Sequence, residues 1–447
     1  MREVISELEG RLDEPTAKGL AHAVSRSIRE GVLTSGDRLP PIRELARQLA
    51  LSPTTVSAAW GLLTRAGTIR TAGRRGTVVA DVHAPRESRY RQALDHQAAF
   101  ATDLSTGVPD AALLPSLGAA LRQVTSAGTP QSYLDNPVLP ELREHLLTTW
   151  PYDAPALTVV DGAMDALELV IRSNLTYGDR VLVENPTFPP LLDLLESAGL
   201  VVDAVRVDDQ GMVTTELEAA VATPVQAVFL QPRAHNPTGV SLTSSRLNAL
   251  ARVLRRTDAL VVEDDSGSAI STSPDLSLGS VLPDRTVHIR SYSKSHGPDL
   301  RLAAMSGPED LVAGVQRLRQ LGQGWSSRLL QRLLLNLLTD PQAAAAVAHA
   351  RDEYARRRAR FAALLADQDV PTNGSDGLNL WVPVHDETAA IMRLAVSGVA
   401  VAPGRPFQLG EHRPPHIRVT VGLVAADTEP LAALVASAAR TGPSALR

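Results

Sequence analysis

Apolar residues recur every three or four positions through the first part of the chain, which is the spacing of amphipathic helices. Leu20, Val24 and Ile28 lie on one such stripe, and residues 42–49 carry a second. Ser52 predicts the N-cap of a third helix, because its hydroxyl can accept an early backbone N–H. The predicted buried face of that third helix is Val56, Ala59, Trp60 and Leu63.

Two strand-like runs follow, at residues 68–71 and 77–80, around the basic tip Ala72-Gly73-Arg74-Arg75-Gly76. Three helices and a hairpin are typical of a winged helix-turn-helix that places its third helix in the major groove of DNA. A small helical bundle with a charged surface is the alternative. The residues predicted to contact phosphates are Arg38, Arg43, Arg47, Arg74 and Arg75, and those predicted to reach base edges are Thr54, Thr55 and Ser57. Gly76 of the tip is also predicted to belong to the DNA-binding surface.

From residue 104 onward, short apolar runs alternate with helical lengths, which predicts an α/β domain with a mostly parallel sheet. Three later runs, at residues 378–384, 399–403 and 417–421, predict a smaller C-terminal α+β domain at roughly 345–447. The predicted division is a DNA-binding domain at 1–80, a linker at 81–103 and a two-part domain at 104–447. The six predicted strands of the large sheet are 157–160, 181–184, 201–207, 227–230, 260–263 and 287–289.

Charge is divided unevenly between these parts. Residues 1–80 hold 12 Lys and Arg against 8 Asp and Glu, whereas the remainder holds 32 against 41. The basic part alone therefore suits a nucleic-acid partner. The absence of cysteine excludes disulfides and thiolate metal ligands, and we predict no metal site. No apolar run is long enough for a membrane span or a signal peptide, so we expect a cytoplasmic protein without a membrane partner.

Chemically useful residues follow the predicted strands, where parallel sheets bind their ligands. Residues 162–164, Gly-Ala-Met, open a helix and would leave bare backbone N–H groups for a phosphate. Phe188 could stack on a planar ring, Asn236 could donate to a phenolic oxygen, and Asp264 could pair with a protonated ring nitrogen. Lys294 follows the last strand, where a partly desolvated lysine can form a Schiff base.

Lys294 lies in the segment SYSKSHGPDLR, in which Ser291, Ser293 and Arg301 would suit a phosphate. Taken together, these groups fit pyridoxal 5′-phosphate, held by a lysine aldimine and by an aspartate that keeps the pyridine nitrogen protonated. Each motif alone would be weak evidence for this cofactor. The sequence Asn-Pro-Thr-Gly is also typical of turns, and a strand–helix junction often contains glycine.

Two parts of the chain resemble known families. The segments GDRLPPIRELARQL, LSPTTVSAAWGLL and GRRGTVV resemble the DNA-binding domain of the GntR family of bacterial regulators. Residues 104–447 resemble a fold-type-I aminotransferase, so the whole chain is similar to the MocR-type subfamily of GntR regulators. The resemblance implies a homodimer. It also implies the same roles for the cofactor residues named above other than Ser293, which are Lys294, Ser291, Arg301, Asp264, Asn236, Phe188 and residues 162–164. It adds Tyr133, which would reach the partner subunit's phosphate, and Arg418, which would bind an effector's α-carboxylate.

The sequence departs from that pattern at two positions. The family usually has a tyrosine two or three residues after the aspartate, whereas Ser266, Gly267 and Ser268 follow Asp265 here. Val138 also stands where the family tends to carry a glycine. The missing tyrosine argues against efficient transamination, since that residue helps to position the lysine.

These observations predict a transcription regulator that binds operator DNA and senses pyridoxal 5′-phosphate or an amino compound. The main alternative is an active aminotransferase that carries a DNA-binding appendage. A scaffold that has lost cofactor binding is the third hypothesis, against which Lys294, Asp264 and Asn236 argue.

Overall fold

The computed structural model describes residues 2–65, 68–71, 76–80, 88–94, 100–124, 132–411 and 413–442. The predicted wing residues Arg74 and Arg75 lie outside the described residues. Within them, no helix is both long enough and apolar enough to cross a membrane.

The N-terminal domain is a winged helix-turn-helix with one helix more than the pattern predicts. Its elements are α1 (Arg2–Glu9), α2 (Ala17–Arg29), α3 (Ile42–Gln48), α4 (Pro53–Arg65), β1 (Ile69–Thr71) and β2 (Thr77–Val79). The Oγ of Ser52 accepts the backbone N–H of Thr55 at 3.0 Å, which confirms the predicted cap of α4. Strands β1 and β2 pair antiparallel, and Arg38 forms a further bridge to Val78.

A short helix, α5 (Arg89–Leu94), lies in the segment predicted to be a linker. Its sequence has no periodic apolar face, and tertiary contacts hold it instead. Ala93 is buried against the C-terminal domain, and Arg89 pairs with Glu196 of the large domain at 2.6 Å. Farther along, β3 (Thr102–Asp103) pairs with a strand of the small domain.

An eight-stranded sheet forms the centre of the large domain. Its strands are β4 (Ala156–Val160), β5 (Arg180–Asn185), β6 (Val201–Asp208), β7 (Gly211–Met212), β8 (Ala227–Leu230), β9 (Leu260–Asp265), β10 (Thr286–Ser291) and β11 (Ala303–Gly307), in the order β4-β11-β10-β9-β8-β5-β6-β7. Strands β6, β5, β8, β9 and β10 run parallel. All six predicted strands are present. The pattern missed β7 and β11. Strand β11 is antiparallel to both of its neighbours, and β7 is antiparallel to β6.

Helices cover both faces of this sheet. They are α6 (Leu117–Arg122), α7 (Pro140–Thr148), α8 (Ala163–Asn174), α9 (Pro189–Ser197), α10 (Thr214–Ala220), α11 (Ser244–Leu254), α12 (Glu309–Gln320), α13 (Arg328–Thr339) and α14 (Pro341–Ala366). Helices α8, α9 and α12 bury apolar faces against one side of the sheet, and α10 and α11 against the other. The carboxyl ends of the parallel strands remain uncovered at one edge, where ligands bind in such sheets.

The small C-terminal domain is built on a three-stranded antiparallel sheet. Its elements are β12 (Leu380–Pro383), α15 (Glu387–Val396), β13 (Val399–Ala400), β14 (Ala402–Pro403), β15 (His416–Val419) and α16 (Thr428–Ala439). Strand β15 lies between β12 and β14, whereas β13 pairs with β3. The three predicted runs are strands, although the middle one is divided at Val401.

The DNA-binding domain docks on the turn that follows α8. Lys18 Nζ on α2 lies 2.9 Å from Asp179 Oδ1, and His22 Nε2 lies 3.0 Å from the carbonyl oxygen of Tyr177. The ring of Tyr177 packs against the apolar core of the DNA-binding domain and meets the His22 ring edge-on. The end of α8 is therefore joined directly to the domain that would contact DNA.

Candidate functional site

A cavity of about 380 Å³ opens at the carboxyl ends of the parallel strands. Its walls come from the large domain, the small domain and helix α5. The structure brings most of the residues predicted for cofactor and effector binding to this cavity, and those that line it are Ala163, Met164, Phe188, Asn236, Asp264, Ser291, Ser293, Lys294, Arg301 and Arg418.

Lys294 reaches into the cavity from the loop after β10. Its Nζ donates a hydrogen bond to the carbonyl oxygen of Gly107 at 2.5 Å. Although the residue is partly exposed through the cavity, burial of its amine lowers the pKa to about 8, and the nearby charge of Arg418 acts in the same direction. A larger fraction of the amine is therefore neutral at pH 7 than in an ordinary lysine, which favours nucleophilic attack on an aldehyde.

Asp264 lies at the end of β9 and is almost fully buried. Burial raises the pKa of its carboxyl to about 6, and a hydrogen bond from the Ser266 hydroxyl at 2.6 Å opposes that rise. Lys294 opposes it too, through its charge. The hydrogen bond and the charge of Lys294 offset only part of the cost of burying this carboxylate. A cationic partner, such as a protonated ring nitrogen, would therefore stabilise it further.

Arg418 projects from β15 toward Asn236. Its Nη1 donates to Asn236 Oδ1 at 3.2 Å, and its Nη2 donates to the carbonyl oxygen of Ser105. The guanidinium also lies over the Phe407 ring, 4.9 Å from the ring centroid. These contacts hold the guanidinium at the cavity wall, where its planar fork could bind a carboxylate in exchange for them.

A cradle for a phosphate forms where α8 begins. Gly162 has φ 105°, and a Cβ at this position would lie 3.0 Å from Nη2 of Arg301. Glycine therefore allows the guanidinium to approach the bare N–H groups at the start of α8. The hydroxyls of Ser291 and Ser293 lie 2.7 Å apart at the same place. Donors and a positive charge converge there, as an anion requires.

Phe188 and Tyr133 have different positions. Phe188 caps the start of α9 and forms one side of the cavity. Tyr133 is 88% exposed, stacks on Trp325 at 5.7 Å, and lines a different surface cavity. Its predicted role, in the partner subunit's site, stays a prediction.

Three further residues near the site were not singled out by the sequence. The carbonyl of Gly107 engages Lys294, and under the cavity floor Glu184 Oε2 lies 3.4 Å from His235 Nε2. Burial raises the pKa of Glu184 to about 8 and lowers that of His235 to about 3, so both are mainly neutral at pH 7. A glutamate at the end of a buried strand could have been recognised in the sequence as a candidate site residue. The sequence does not indicate which loop carbonyl will face the site.

The predicted DNA contacts lie on one domain and point to solvent. Arg38, Arg43, Arg47, Thr54 and Ser57 are exposed, whereas Thr55 is half-buried. The hydroxyls of Thr54 and Thr55 lie 2.6 and 2.8 Å from Ser52 Oγ, at the N-terminus of α4. At Gly76, an added Cβ would lie 3.5 Å from the Arg38 guanidinium, so the wing begins beside that arginine.

The residues of the cavity fit pyridoxal 5′-phosphate. Gly162 leaves room beside Arg301 that a Cβ would fill, which suits the phosphate. Lys294 offers a partly neutral amine for the aldehyde, and the buried carboxylate of Asp264 suits the ring nitrogen. Each end of the cofactor thus has a chemically matched group in the described part of the chain.

Comparisons with known proteins agree with both domains. Residues 16–79 match the bacterial regulatory proteins of the gntR family, and residues 101–435 match aminotransferase class I and II. The vitamin B6 salvage pathway transcriptional repressor PtsJ of Salmonella typhimurium is 36% identical over 420 residues, covering 92% of this chain and 95% of that protein. The chain belongs to the MocR-type subfamily of GntR regulators. Another relative of this MocR-type protein, the pyridoxine biosynthesis regulator PdxR of Corynebacterium glutamicum, is 28% identical and covers 69% of the chain and 70% of its own length.

The MocR-type protein shares the fold of its large domain with solved aminotransferases. Aspartate aminotransferase from Thermus thermophilus is 23% identical with a TM-score of 0.67, covering 77% of this chain and 93% of that chain. Kynurenine aminotransferase from Pyrococcus horikoshii is 21% identical with a TM-score of 0.69 and the same coverage. The protein is therefore a DNA-binding transcription regulator, and pyridoxal 5′-phosphate is the cofactor of its aminotransferase-like domain.

Proposed function

We propose that this regulator changes its affinity for operator DNA when pyridoxal 5′-phosphate occupies the cavity around Lys294. The observation that carries the proposal is the cavity itself, because a partly neutral amine and a buried carboxylate face it in a chain that also holds a winged helix-turn-helix. The name of the 36% identical relative, a repressor of vitamin B6 salvage, supports the same ligand.

The cofactor, when bound, supplies an aldehyde and an electron-withdrawing ring. Lys294 would hold the cofactor at its aldehyde through its amine, and Asp264 would keep a proton on the ring nitrogen. Arg301 and the two serines at positions 291 and 293 would hold the phosphate with the backbone N–H groups of residues 162–164. Asn236 would donate to the ring hydroxyl.

Arg418 is the group we assign to an amino compound, whose α-carboxylate it would bind. Its contacts with Asn236 and with the carbonyl of Ser105 would have to be exchanged for that carboxylate. Such a compound is either a second ligand of the regulator or the substrate of an active aminotransferase. The second function is disfavoured by Ser266, which stands where a tyrosine is usual and which binds Asp264.

We further propose a homodimer with the domain division 1–80, 81–103 and 104–447. A surface region around Tyr133 supports the dimer. Leu134, the next residue, is 79% exposed, and Leu321, which follows Gln320 of the same surface cavity, is 86% exposed. Large apolar side chains in a group on a surface commonly mark an interface. A dimer would also present two DNA-binding domains to two half-sites.

A gel-shift titration tests the proposal. The full-length protein is titrated against DNA from upstream of its own gene and of neighbouring genes, with and without pyridoxal 5′-phosphate. We expect specific binding whose dissociation constant changes by about fivefold or more with the cofactor, the usual lower range for coupled sites. Specific binding with the same dissociation constant in the presence and absence of the cofactor would contradict the proposed effector. Amino acids would then be screened as effectors. Turnover of an amino acid with 2-oxoglutarate, without specific DNA binding, would support the enzyme.

A further inference from the structure

Helix α5 forms part of the ligand cavity although it belongs to the segment between the two domains. Ala93 and Leu94 line the cavity that also contains Lys294 and Arg418. Ala93 is only 1% exposed, so it is packed firmly into the wall of the cavity. The connection to the DNA-binding domain therefore touches the site where the cofactor binds.

One side of α5 is fixed to the large domain. Arg89 Nη2 lies 2.6 Å from Glu196 Oε1, and its Nη1 lies 3.8 Å from Asp193 Oδ1. The backbone N–H of Arg89 also donates to Asp193 Oδ1 at 3.1 Å. Both acids lie on α9, the helix that Phe188 caps at the cavity. The side chain of Arg89 is mostly buried, which makes this pairing firmer than a surface ion pair.

The other side of α5 packs against the small domain. Ala93 belongs to a buried cluster with Trp381, Ala402 and Phe407, and Leu94 packs against the same cluster. The ring of Phe407 lies under the guanidinium of Arg418. Helix α5 therefore bridges the two domains that meet around the cavity, so a change in their relative position alters its contacts on at least one side.

A short segment of the chain connects the wing to α5. Nine residues separate Val79 of β2 from Arg89. An extended chain spans at most about 3.5 Å per residue, so the wing lies within about 35 Å of α5. A second attachment, from Lys18 on α2 to Asp179, holds the DNA-binding domain to the large domain. Displacement of α5 against that fixed point would reorient the DNA-binding domain.

We propose that α5 carries the occupancy of the cofactor cavity to the DNA-binding domain, with Leu94 as its contact at the cavity and Arg89 as its anchor. This inference rests on the proposed function and adds the element through which it acts. Occupancy can change DNA affinity only if the ligand prefers one of two arrangements of the protein. The two arrangements differ in whether α5 is held against both α9 and Phe407.

The test measures the dissociation constant for DNA with and without saturating pyridoxal 5′-phosphate in full-length variants. We expect Arg89→Ala to bring the ratio of the two constants within about twofold of one, against about fivefold or more in the unmodified protein. Binding of the cofactor and its attachment to Lys294 should persist, because Arg89 does not line the cavity. Arg89→Lys, which keeps a cation opposite Glu196, should restore most of the response.

Arg256→Ala is the matched control, since Arg256 pairs with Glu218 at 2.7 Å on an exposed surface away from the linker. It should keep the full response. A full response in Arg89→Ala would overturn the inference while leaving the proposed function intact. A ratio of one in the unmodified protein would overturn both.

Hydrogen exchange gives a second measurement that needs no DNA and no substitution. Pyridoxal 5′-phosphate should slow exchange of the backbone amides in residues 162–164, where the phosphate would bind, and also in residues 89–94. Protection of residues 162–164 without any change in α5 would show that the cofactor binds without affecting α5, and that result would overturn the inference.

Discussion

The hydroxyl of Ser266 donates a hydrogen bond to Oδ1 of Asp264 at 2.6 Å. This contact stabilises the ionised form of the carboxyl against the effect of burial. The serine thus supports the aspartate itself, whereas a tyrosine in this region would contact the ring oxygen.

Replacing Ser266 by alanine should weaken binding of pyridoxal 5′-phosphate by about tenfold at pH 7, the usual value of a hydrogen bond to a charged group. Without the hydroxyl, the pKa of Asp264 rises further above 6, so more of the carboxyl is protonated. The loss of affinity should therefore be larger at pH 6 than at pH 8, which fluorescence titration would measure. Ser197→Ala on the surface of α9 is the control, and a loss independent of pH would contradict the assigned role.

Replacing Lys294 by alanine should abolish covalent attachment of the cofactor. Reduction with borohydride followed by mass spectrometry would show the added mass in the unmodified protein and none in the variant. Because the pKa of Lys294 is lowered to about 8, attachment in the unmodified protein should become faster up to about pH 8 and level off above it. Attachment that survives in Lys294→Ala would assign the chemistry to another lysine.

Replacing Glu184 by glutamine should reduce the dependence of stability on pH. The ordinary pKa of this carboxyl is 4.5, and burial raises it to about 8 in the folded protein. Between those values the folded protein holds a proton that the unfolded chain has released, so stability falls as pH rises through this range. Melting temperatures of the cofactor-free protein should decline less from pH 6 to pH 8 in Glu184→Gln than in the surface control Glu168→Gln. Parallel declines would refute the raised pKa.

Replacing Arg43 by alanine should weaken DNA binding and lower the slope of log affinity against log salt by about one, because one phosphate contact releases about one counterion. Arg43 is exposed on α3, in the domain predicted to contact DNA. Filter binding at several salt concentrations would measure the slope. Arg172→Ala on α8 should leave it unchanged, and an unaltered slope in Arg43→Ala would place that arginine away from the phosphates.

Replacing Leu321 by glutamate should dissociate the proposed dimer, since a charge would have to be buried in an apolar contact. Sedimentation equilibrium should show a shift toward monomer. Val396→Glu is a matched control, because Val396 is 90% exposed but lies on α15 of the small domain. If both variants kept the mass of a dimer, the interface would lie elsewhere.

Much of the fold was visible in the hydrophobic pattern because the parallel strands are short, apolar and rich in branched residues. Strand β11 was not predicted because its sequence, Ala-Ala-Met-Ser-Gly, contains no branched residue. The strand lies between two others that bury it. Helix α5 was not predicted because residues that are distant in sequence, such as Glu196, stabilise it.

The cavity was predictable to the extent that its groups follow strand ends. Asn236 and Lys294 come after parallel strands and Asp264 lies at the end of one, and such ends meet at one edge of a sheet. The carbonyl of Gly107 and the hydroxyl of Ser266 were not predictable in their contacts, because the path of a loop decides which polar atom faces the site.

Helix α8 begins at the phosphate cradle, and the turn after its last residue, Asn174, carries the contact with the DNA-binding domain. Successive residues of a helix are rotated by about 100° about its axis. Gain or loss of one residue within α8 would therefore swing Tyr177 by about that angle relative to Gly162. Substitutions on its exposed face should be tolerated, but its length is set by the two sites that it separates.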